Sequence, residues 1–144
     1  MIKLTPITKK NFKACIKLSV ASNQKNLVAP NAYSLSQAYA QRECIPYAIY
    51  SDDTMVGFLM YCLDAEDKEY WIYRIMIDIN FQNMSYGRQA LTQLIKIIKK
   101  DKSHNKIFIS AKKGNNVALK LYENMGFEFT GQIQDGERVM RMKY

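Results

Sequence analysis

The chain has 144 residues, which is the length of one domain that buries a core of its own. Its formal net charge of +8 favours anionic partners such as phosphates, nucleic acid or an acidic surface. No apolar run reaches the length of about 18 residues that a transmembrane helix needs, and the N-terminus lacks the apolar region of a signal peptide. The three cysteines and the single histidine are widely spaced, which excludes a common metal pattern and a histidine-based triad. We therefore predict a single domain over residues 1–144, in the cytoplasm, with no membrane contact and no bound metal.

The first half of the chain is predicted to contain strands and short helices. A strand over Ile2–Pro6 precedes a helix that Thr8 can cap, with apolar residues at helical spacing as far as Val20. A second helix is expected over 35–43, with Ser34 or Ser36 as its cap. Strands over 47–50 and 55–63 follow, joined by a hairpin turn, and an acidic turn leads to a long strand over 69–79.

The second half continues this alternation. Residues 86–100 carry a wide apolar stripe at helical spacing, and a short strand over 107–110 follows. Asn115 begins a further helix, which Gly126 ends in the manner of a glycine just past a helix C-terminus. Strands over 127–131 and 137–143 flank the turn at Asp135 and Gly136. The order of elements predicts a mixed sheet covered by helices, in the α/β (α+β) class.

The polar turn between the long strand and the central helix is a candidate phosphate site. Its residues, 82–87, read Gln-Asn-Met-Ser-Tyr-Gly, and a helix start offers unpaired N–H groups to an anion. Gly87 lets the backbone approach a ligand that a Cβ would repel. The turn therefore indicates a pyrophosphate site, and the alternative is a glycine that only serves packing.

Two motifs in this order resemble the GCN5-related N-acetyltransferase (GNAT) family. Gln82 and Gly87, five positions apart, match the turn Gln/Arg-x-x-Gly-x-Gly/Ala after the family's fourth strand. The family's motif Asn-x-x-Ala-x-x-Leu-Tyr-x-x-x-Gly-Phe is matched in full by Asn115, Ala118, Leu121, Tyr122, Gly126 and Phe127. The resemblance spans essentially the whole chain. It implies a single-domain GNAT fold: a mixed, mostly antiparallel sheet of about seven strands flanked by four helices, splayed between the fourth and fifth strands.

One residue departs from the family's turn, because Ser85 stands where the middle glycine is usual. If this position requires a positive φ, serine is strained by about 1 kcal/mol or more. If it is the helix N-cap or lies in the first turn, serine is suitable, and its hydroxyl can contact a phosphate. The sequence leaves both alternatives open.

The resemblance implies acetyl-coenzyme A (acetyl-CoA) as co-substrate. Amides of the turn would hold its pyrophosphate, Arg88 would add charge, and its pantetheine arm would pair with the fourth strand. The implied binding residues are Ile75, Met76, Ile77, Gln82, Asn83, Met84, Ser85, Tyr86, Gly87, Arg88, Asn115 and Tyr122. Two have structural alternatives, since Arg88 can be an ordinary surface arginine and Asn115 can cap its own helix.

The implied reaction is direct transfer of an acetyl group to an amine, which needs a proton donor and a proton acceptor. Tyr122 occupies the family's tyrosine position and is the implied general acid, unless it is only a core aromatic. The N–H near Ile77 is implied to polarise the thioester carbonyl. An alkyl amine has a pKa of about 10.4, so a base is expected, and Glu69 and Tyr73 are the catalytic candidates. Glu43 and a water chain are further alternatives for the base, and a covalent route would use Cys62, which has no histidine partner.

The acceptor is predicted to be a primary amine of a small molecule. The segments 71–78, 56–61 and 23–24 are most similar to bacterial spermine/spermidine acetyltransferases, which suggests a polyamine. An acidic pocket for a polycation could come from Asp64, Glu66, Asp67 and Glu69, or these residues form a solvated hairpin. The alternatives are acetylation of an amino acid, an antibiotic or a protein N-terminus, and a non-catalytic module that binds CoA or nucleic acid. We do not expect a nucleic-acid partner, and the resemblance allows a homodimer.

Overall fold

The computed structural model describes all 144 residues, and every strand belongs to one seven-stranded sheet. The strands are β1 (Ile2–Pro6), β2 (Cys44–Ser51), β3 (Thr54–Leu63), β4 (Tyr70–Ile77), β5 (Lys106–Lys112), β6 (Glu128–Gln134) and β7 (Glu137–Lys143). The helices are α1 (Phe12–Lys17), α2 (Asn31–Ala40), α3 (Tyr86–Lys99) and α4 (Asn116–Asn124). The strand order is β1-β2-β3-β4-β5-β7-β6, and only the β4–β5 pair is parallel. The predicted mixed, mostly antiparallel sheet with four helices is confirmed.

Two hydrophobic clusters cover the two faces of the sheet. The larger cluster contains the apolar stripe of α3, namely Ala90, Leu91, Leu94, Ile95 and Ile98, packed with residues of β5, α4 and β7. Burial of each large aliphatic side chain in this stripe contributes about 1.5–3 kcal/mol. The smaller cluster, on the opposite face, joins Cys15 of α1 to Phe58, Met60 and Met76 of the sheet. The central strands are therefore covered on both faces.

Helix boundaries agree with the prediction in the second half of the chain and differ in the first. Asn115 caps α4, accepting a hydrogen bond from the Ala118 N–H at 3.3 Å, and Gly126 after the helix has a φ of +105°. By contrast, α1 begins after Asn11 rather than Thr8, and it ends at Lys17. Shortly after this end, the Ser19 N–H donates a hydrogen bond to the Asp78 carboxylate at 2.9 Å. Helix α2 begins directly after Pro30, which suits a helix start, so the predicted serine caps are wrong. No helix of the chain is long and apolar enough to cross a membrane.

The two central parallel strands separate part of the way along their length. Strands β4 and β5 pair from Tyr70 opposite Ile107 to Ile72 opposite Ile109, and beyond this point β4 continues unpaired on that side to Ile77. The separation begins at a β-bulge, because Tyr73 is an extra residue between the β3–β4 pairs. A bulge bends its strand and increases the local twist. The predicted splay between the fourth and fifth strands is thus confirmed.

Candidate active site

A cavity of about 1150 Å³ opens where β4 and β5 separate. Its walls are the ends of these two strands, the start of α3, one side of α4, and the connection between α1 and α2. That connection lines the cavity and is tethered by two hydrogen bonds. The side-chain amide of Gln82 donates to the Gln24 side-chain oxygen at 2.9 Å, and the Lys112 ammonium donates to the carbonyl of Asn26. The cavity is therefore bounded by both the sheet and a tethered segment.

The turn between β4 and α3 lines this cavity and has backbone N–H groups without a partner in the protein. None of the N–H groups of residues 83–88 donates to an acceptor within the protein, and the first helical bond runs from Gln89 to Ser85 at 3.1 Å. A helix N-terminus with free N–H groups attracts an anion through hydrogen bonds and through the helix dipole. Of the residues 82–88, only Met84 does not line the cavity, and its side chain is 53% exposed. The turn thus has the donors that a pyrophosphate requires.

Ser85 adopts the left-handed conformation that the family's glycine would favour. Its φ is 62°, and φ of Asn83, two residues earlier, is 64°. The Ser85 hydroxyl makes no capping hydrogen bond to α3, although the residue occupies the N-cap position. The first alternative drawn from the sequence therefore holds, and serine costs about 1 kcal/mol here relative to a residue without a Cβ.

Gly87 is not required by the packing of the protein. A Cβ at this position would lie 3.8 Å from Ile77 Cγ1 and 3.9 Å from Leu121 Cδ2, which are ordinary van der Waals distances. Both neighbours line the cavity, so the missing side chain keeps the cleft between β4 and α4 wide. The alternative of a glycine that serves packing alone does not agree with this geometry.

Some of the other side chains around the turn are hydrogen-bonded within the protein, and others are free. Gln82 bonds the Ile77 carbonyl at 3.0 Å as well as Gln24, so its side chain fixes the turn against β4. The Tyr86 hydroxyl accepts a hydrogen bond from Ser51 at 3.3 Å, which holds the start of α3 against β2. Arg88 lines the cavity, is exposed and forms no ion pair. Its guanidinium can therefore add charge next to the free amides.

The exposed edge of β4 offers backbone groups to an extended ligand. On one side Ile75, Met76 and Ile77 pair with β3, and on the other side no strand lies beyond Ile72. Gly57 of β3 allows the close approach on the paired side, since a Cβ there would lie only 2.4 Å from the Met76 carbonyl oxygen. An unpaired strand edge binds an extended chain by adding it to the sheet. The geometry fits the pantetheine arm implied by the sequence.

Helix α4 contributes two polar groups to the opposite wall of the cavity. The Asn115 side-chain oxygen caps the helix, while its NH₂ group has no partner in the protein and lies at the cavity wall. The Tyr122 side chain lines the cavity and is almost fully buried, and its hydroxyl makes no hydrogen bond within the protein. Burial, together with the negative charge of Glu137, raises the pKa of Tyr122 well above its usual value. The phenol therefore keeps its proton near neutral pH and is suited to donate it.

The two predicted base residues lie in unsuitable surroundings. Glu69 precedes the paired end of β4, faces Lys106 at 3.9 Å and does not line the cavity. The part of β4 that lines the cavity begins at Ile72, and at about 3.3 Å per strand residue Ile75 lies roughly 20 Å along the chain from Glu69. The Tyr73 hydroxyl donates to the Asp64 carboxylate at 2.7 Å, and burial with its neighbours Cys62 and Asp64 raises its pKa far above the usual value. Glu69 therefore lies outside the cavity, whereas Tyr73 lines it with a hydroxyl that is already bonded to Asp64.

The remaining alternatives for catalysis, Glu43 and Cys62, lie outside the cavity. Glu43 does not line it. Cys62 is fully buried, and burial raises the pKa of its thiol to about 12, so a reactive thiolate is not formed. In the acidic turn, Asp64 accepts hydrogen bonds from the Glu66 and Asp67 N–H groups, at 2.8 and 3.3 Å. This bonding matches the solvated hairpin rather than a polycation pocket.

The sequence analysis missed Glu137, which is the only acidic residue that lines the cavity. Its carboxylate accepts a hydrogen bond from the Ser110 hydroxyl at 2.8 Å. The basic lining residues Lys25, Arg74 and Lys112 were missed as well. Because Glu137 follows the Asp135-Gly136 turn, the sequence predicts its position at the start of a strand. The sequence does not predict that it lies near the splay, because this depends on β7 pairing with β5 instead of lying at the sheet edge.

Comparisons with known proteins agree with this architecture. The sequence pattern of the "Acetyltransferase (GNAT) family" matches residues 13–127. The "Spermine/spermidine N(1)-acetyltransferase" of Bacillus subtilis strain 168 is 29% identical over 146 residues, which cover 96% of each chain. A "Probable spermine N(1)-acetyltransferase" of Bacillus subtilis subsp. natto shows the same identity and coverage.

Solved structures show the same fold at low sequence identity. The PaiA N-acetyltransferase of Thermoplasma acidophilum, in complex with coenzyme A, has a TM-score of 0.76 at 15% identity, covering 100% of this chain and 99% of that one. The aminoglycoside acetyltransferase AAC(6')-Ib, in complex with coenzyme A and kanamycin, has a TM-score of 0.81 at 18% identity, covering 99% and 95% of the two chains. Since the family pattern spans most of the sequence, this chain belongs to the GNAT family of acetyltransferases.

Proposed function

We propose that this GNAT acetyltransferase moves the acetyl group of acetyl-CoA directly to a primary amine of a small molecule. The observation that carries the proposal is the set of unpaired N–H groups at residues 83–88, next to the open edge of β4. Together they suit the two ends of one ligand, a pyrophosphate and an extended amide-containing arm. The cavity, at about 1150 Å³, is large enough for both the arm and an acceptor.

Tyr122 is the general acid in this proposal. When the thioester C–S bond breaks, the leaving sulfur resembles a cysteine thiolate with a pKa of about 8.5, so a proton donor assists it. The buried phenol remains protonated and has no competing partner in the protein, which supports this role. The amide NH₂ of Asn115 binds the cofactor arm, and the N–H near Ile77 polarises the acetyl carbonyl.

For the acceptor, a polyamine is our first choice, because relatives at 29% identity are named for spermine and spermidine. The lining charges limit this choice: Lys25, Arg74, Arg88 and Lys112 face one carboxylate, Glu137. The cofactor's phosphates neutralise part of this positive charge, and a single ammonium group suits the remaining carboxylate. We propose that one terminal amine enters the cavity while the rest of a polyamine stays outside. The cytoplasmic location and a homodimer remain predictions.

The test measures binding and turnover separately. Acetyl-CoA should raise the melting temperature with a dependence on concentration that follows mass action. Release of free thiol should then be measured with spermidine, an aminoglycoside, an amino acid and a peptide with a free N-terminus as acceptors. We expect turnover to be fastest with the polyamine. Acetyl-CoA binding without turnover of any amine, or salt-dependent binding of DNA without any thermal shift by acetyl-CoA, would contradict the proposal.

Replacement of Tyr122 tests the mechanism within the proposal. We expect Tyr122→Phe to lower turnover by about 10²-fold or more, the usual effect of losing a general acid, while the affinity for acetyl-CoA stays close to that of the wild type. Tyr39→Phe is the control, because Tyr39 is exposed and does not line the cavity, so its hydroxyl should not take part in proton transfer. Equal turnover in Tyr122→Phe and wild type would remove Tyr122 from the mechanism.

A further inference from the structure

Glu137 is the only carboxylate in the cavity, and no cation of the protein neutralises it. Its register partner in β5 is Lys112, so the two side chains lie on the same face of the sheet. The Lys112 ammonium nevertheless bonds the Asn26 carbonyl, and no ion pair to Glu137 forms. The Ser110 hydroxyl, also from β5, donates the one side-chain hydrogen bond that fixes the carboxylate, at 2.8 Å. An oriented, unpaired carboxylate therefore borders the splay.

The same carboxylate lies near the proposed proton donor. Tyr122 approaches from α4 on the other face of the sheet, and it is close enough for the charge of Glu137 to raise its pKa. The splay opens the sheet between these faces, because β4 and β5 pair only as far as Ile72 and Ile109, while β5 pairs with β7 over its whole length. An acetyl group held at the unpaired edge of β4 would thus have an acid on one side and a carboxylate on the other.

We infer that Glu137 binds the acceptor ammonium and takes the amine proton during acetyl transfer. This inference rests on the proposed function. Glu137 accepts one proton from the bound ammonium and passes it to water, and the neutral nitrogen then forms a bond to the acetyl carbon. As the C–S bond breaks, Tyr122 gives its proton to the sulfur, and the nitrogen passes its surplus proton to Glu137. Transfer of that proton from Glu137 to the Tyr122 phenolate, directly or through water, restores the enzyme and leaves an amide and a free thiol.

The experiment compares Glu137→Gln with the wild type over a range of pH, and uses Glu128→Gln as the control. Glu128 lies in the same β6–β7 hairpin, is exposed and does not line the cavity, so its replacement removes an equal charge away from the site. Glutamine keeps an oxygen that can accept the Ser110 bond, which favours folding of the variant. Acetyl-CoA affinity, measured by calorimetry, reports whether the cavity is intact.

We expect Glu137→Gln to lower kcat/KM for the amine by about 10²-fold or more at pH 7, with acetyl-CoA affinity within about twofold of wild type. The deficit should shrink as the pH approaches about 10.4, where solvent deprotonates the free amine. The charged groups Lys25, Arg74, Arg88 and Lys112 line the same cavity and are present in both proteins.

Two outcomes would overturn the inference. One is equal kcat/KM in Glu137→Gln and the wild type, and the other is a deficit that stays constant from pH 7 to about pH 10, which a purely structural role would produce. A wild-type protein that binds acetyl-CoA but acetylates no amine refutes the proposed function instead, which separates the two failures. Ser110→Ala gives an independent check, since loss of the orienting hydroxyl should lower kcat/KM in the same direction by about tenfold.

Discussion

Replacing Gly87 with alanine should make the free protein more stable and the acetyl-CoA complex weaker. Glycine in a helix interior costs about 0.8–1.0 kcal/mol relative to alanine. Because residue 87 is the second residue of α3, we expect about half of this value as a gain in the free energy of unfolding. The new Cβ meets nothing closer than 3.8 Å, so no clash in the protein offsets the gain.

The same methyl group projects into the cleft between Ile77 and Leu121 where the ligand is proposed to lie. Displacing a phosphate from hydrogen-bond distance to the turn should weaken acetyl-CoA binding at least tenfold, which corresponds to about 1.4 kcal/mol. Urea unfolding of the free protein and calorimetric titration with acetyl-CoA measure the two effects. The control is Thr92→Ala, an exposed site in the same helix, which should raise stability without changing affinity. Undiminished affinity in Gly87→Ala would refute the reasoning, because the backbone there would then not contact the ligand.

Two further predictions concern stability. Ser85→Gly should raise the free energy of unfolding by about 0.5 kcal/mol or more, because relief of the left-handed strain exceeds the entropy that glycine adds to the unfolded chain. Denaturant titration measures this change in the free energy of unfolding. Stability should also fall above pH 10, because burial raises the pKa of Tyr61, Tyr73 and Tyr122 in the folded protein. The unfolded chain then binds fewer protons than the folded one, and each such tyrosine lowers the free energy of unfolding by about 1.4 kcal/mol per pH unit.

Each of these predictions can be checked against a second variant or a second pH. Asn83→Gly should gain less stability than Ser85→Gly, because asparagine tolerates a positive φ better than serine does. A less stable Ser85→Gly would mean that the serine is not strained. For the alkaline effect, Tyr73→Phe should show a weaker dependence on pH above pH 10 than wild type. Identical unfolding free energies at pH 9 and pH 11 in the wild type would contradict the prediction.

The second half of the chain could be predicted well from sequence because its signals are local. The stripe of α3, the Asn115 cap and Gly126 each act within a few residues, and the structure reproduces all of them. The start of α2 was misplaced because serine can cap a helix at many positions, and here Pro30 and the buried Asn31 set the start. The Asn31 amide bonds the Cys15 carbonyl of α1 at 2.9 Å, a contact between distant elements that no local pattern announces.

The turn at residues 82–88 could be located from the sequence, but its conformation and the position of Glu137 could not. The sign of φ at Ser85 depends on how β4 and α3 are oriented, which packing decides. Glu69 was chosen because it adjoins β4, yet the splay lies at the other end of that strand. Glu137 is 60 or more residues from β4 in sequence, and it reaches the cavity only because β7 inserts between β5 and β6.

The left-handed turn at Asn83 and Ser85 also bears on how such enzymes diverge. A loop that normally depends on glycine can tolerate residues with a Cβ when the surrounding strand and helix impose its handedness, at an energetic penalty that one extra buried methylene recovers. Replacement of the glycines in a descendant is then a neutral sequence change and does not indicate loss of catalytic activity. What selection must preserve at this bend is the direction in which its peptide hydrogens point.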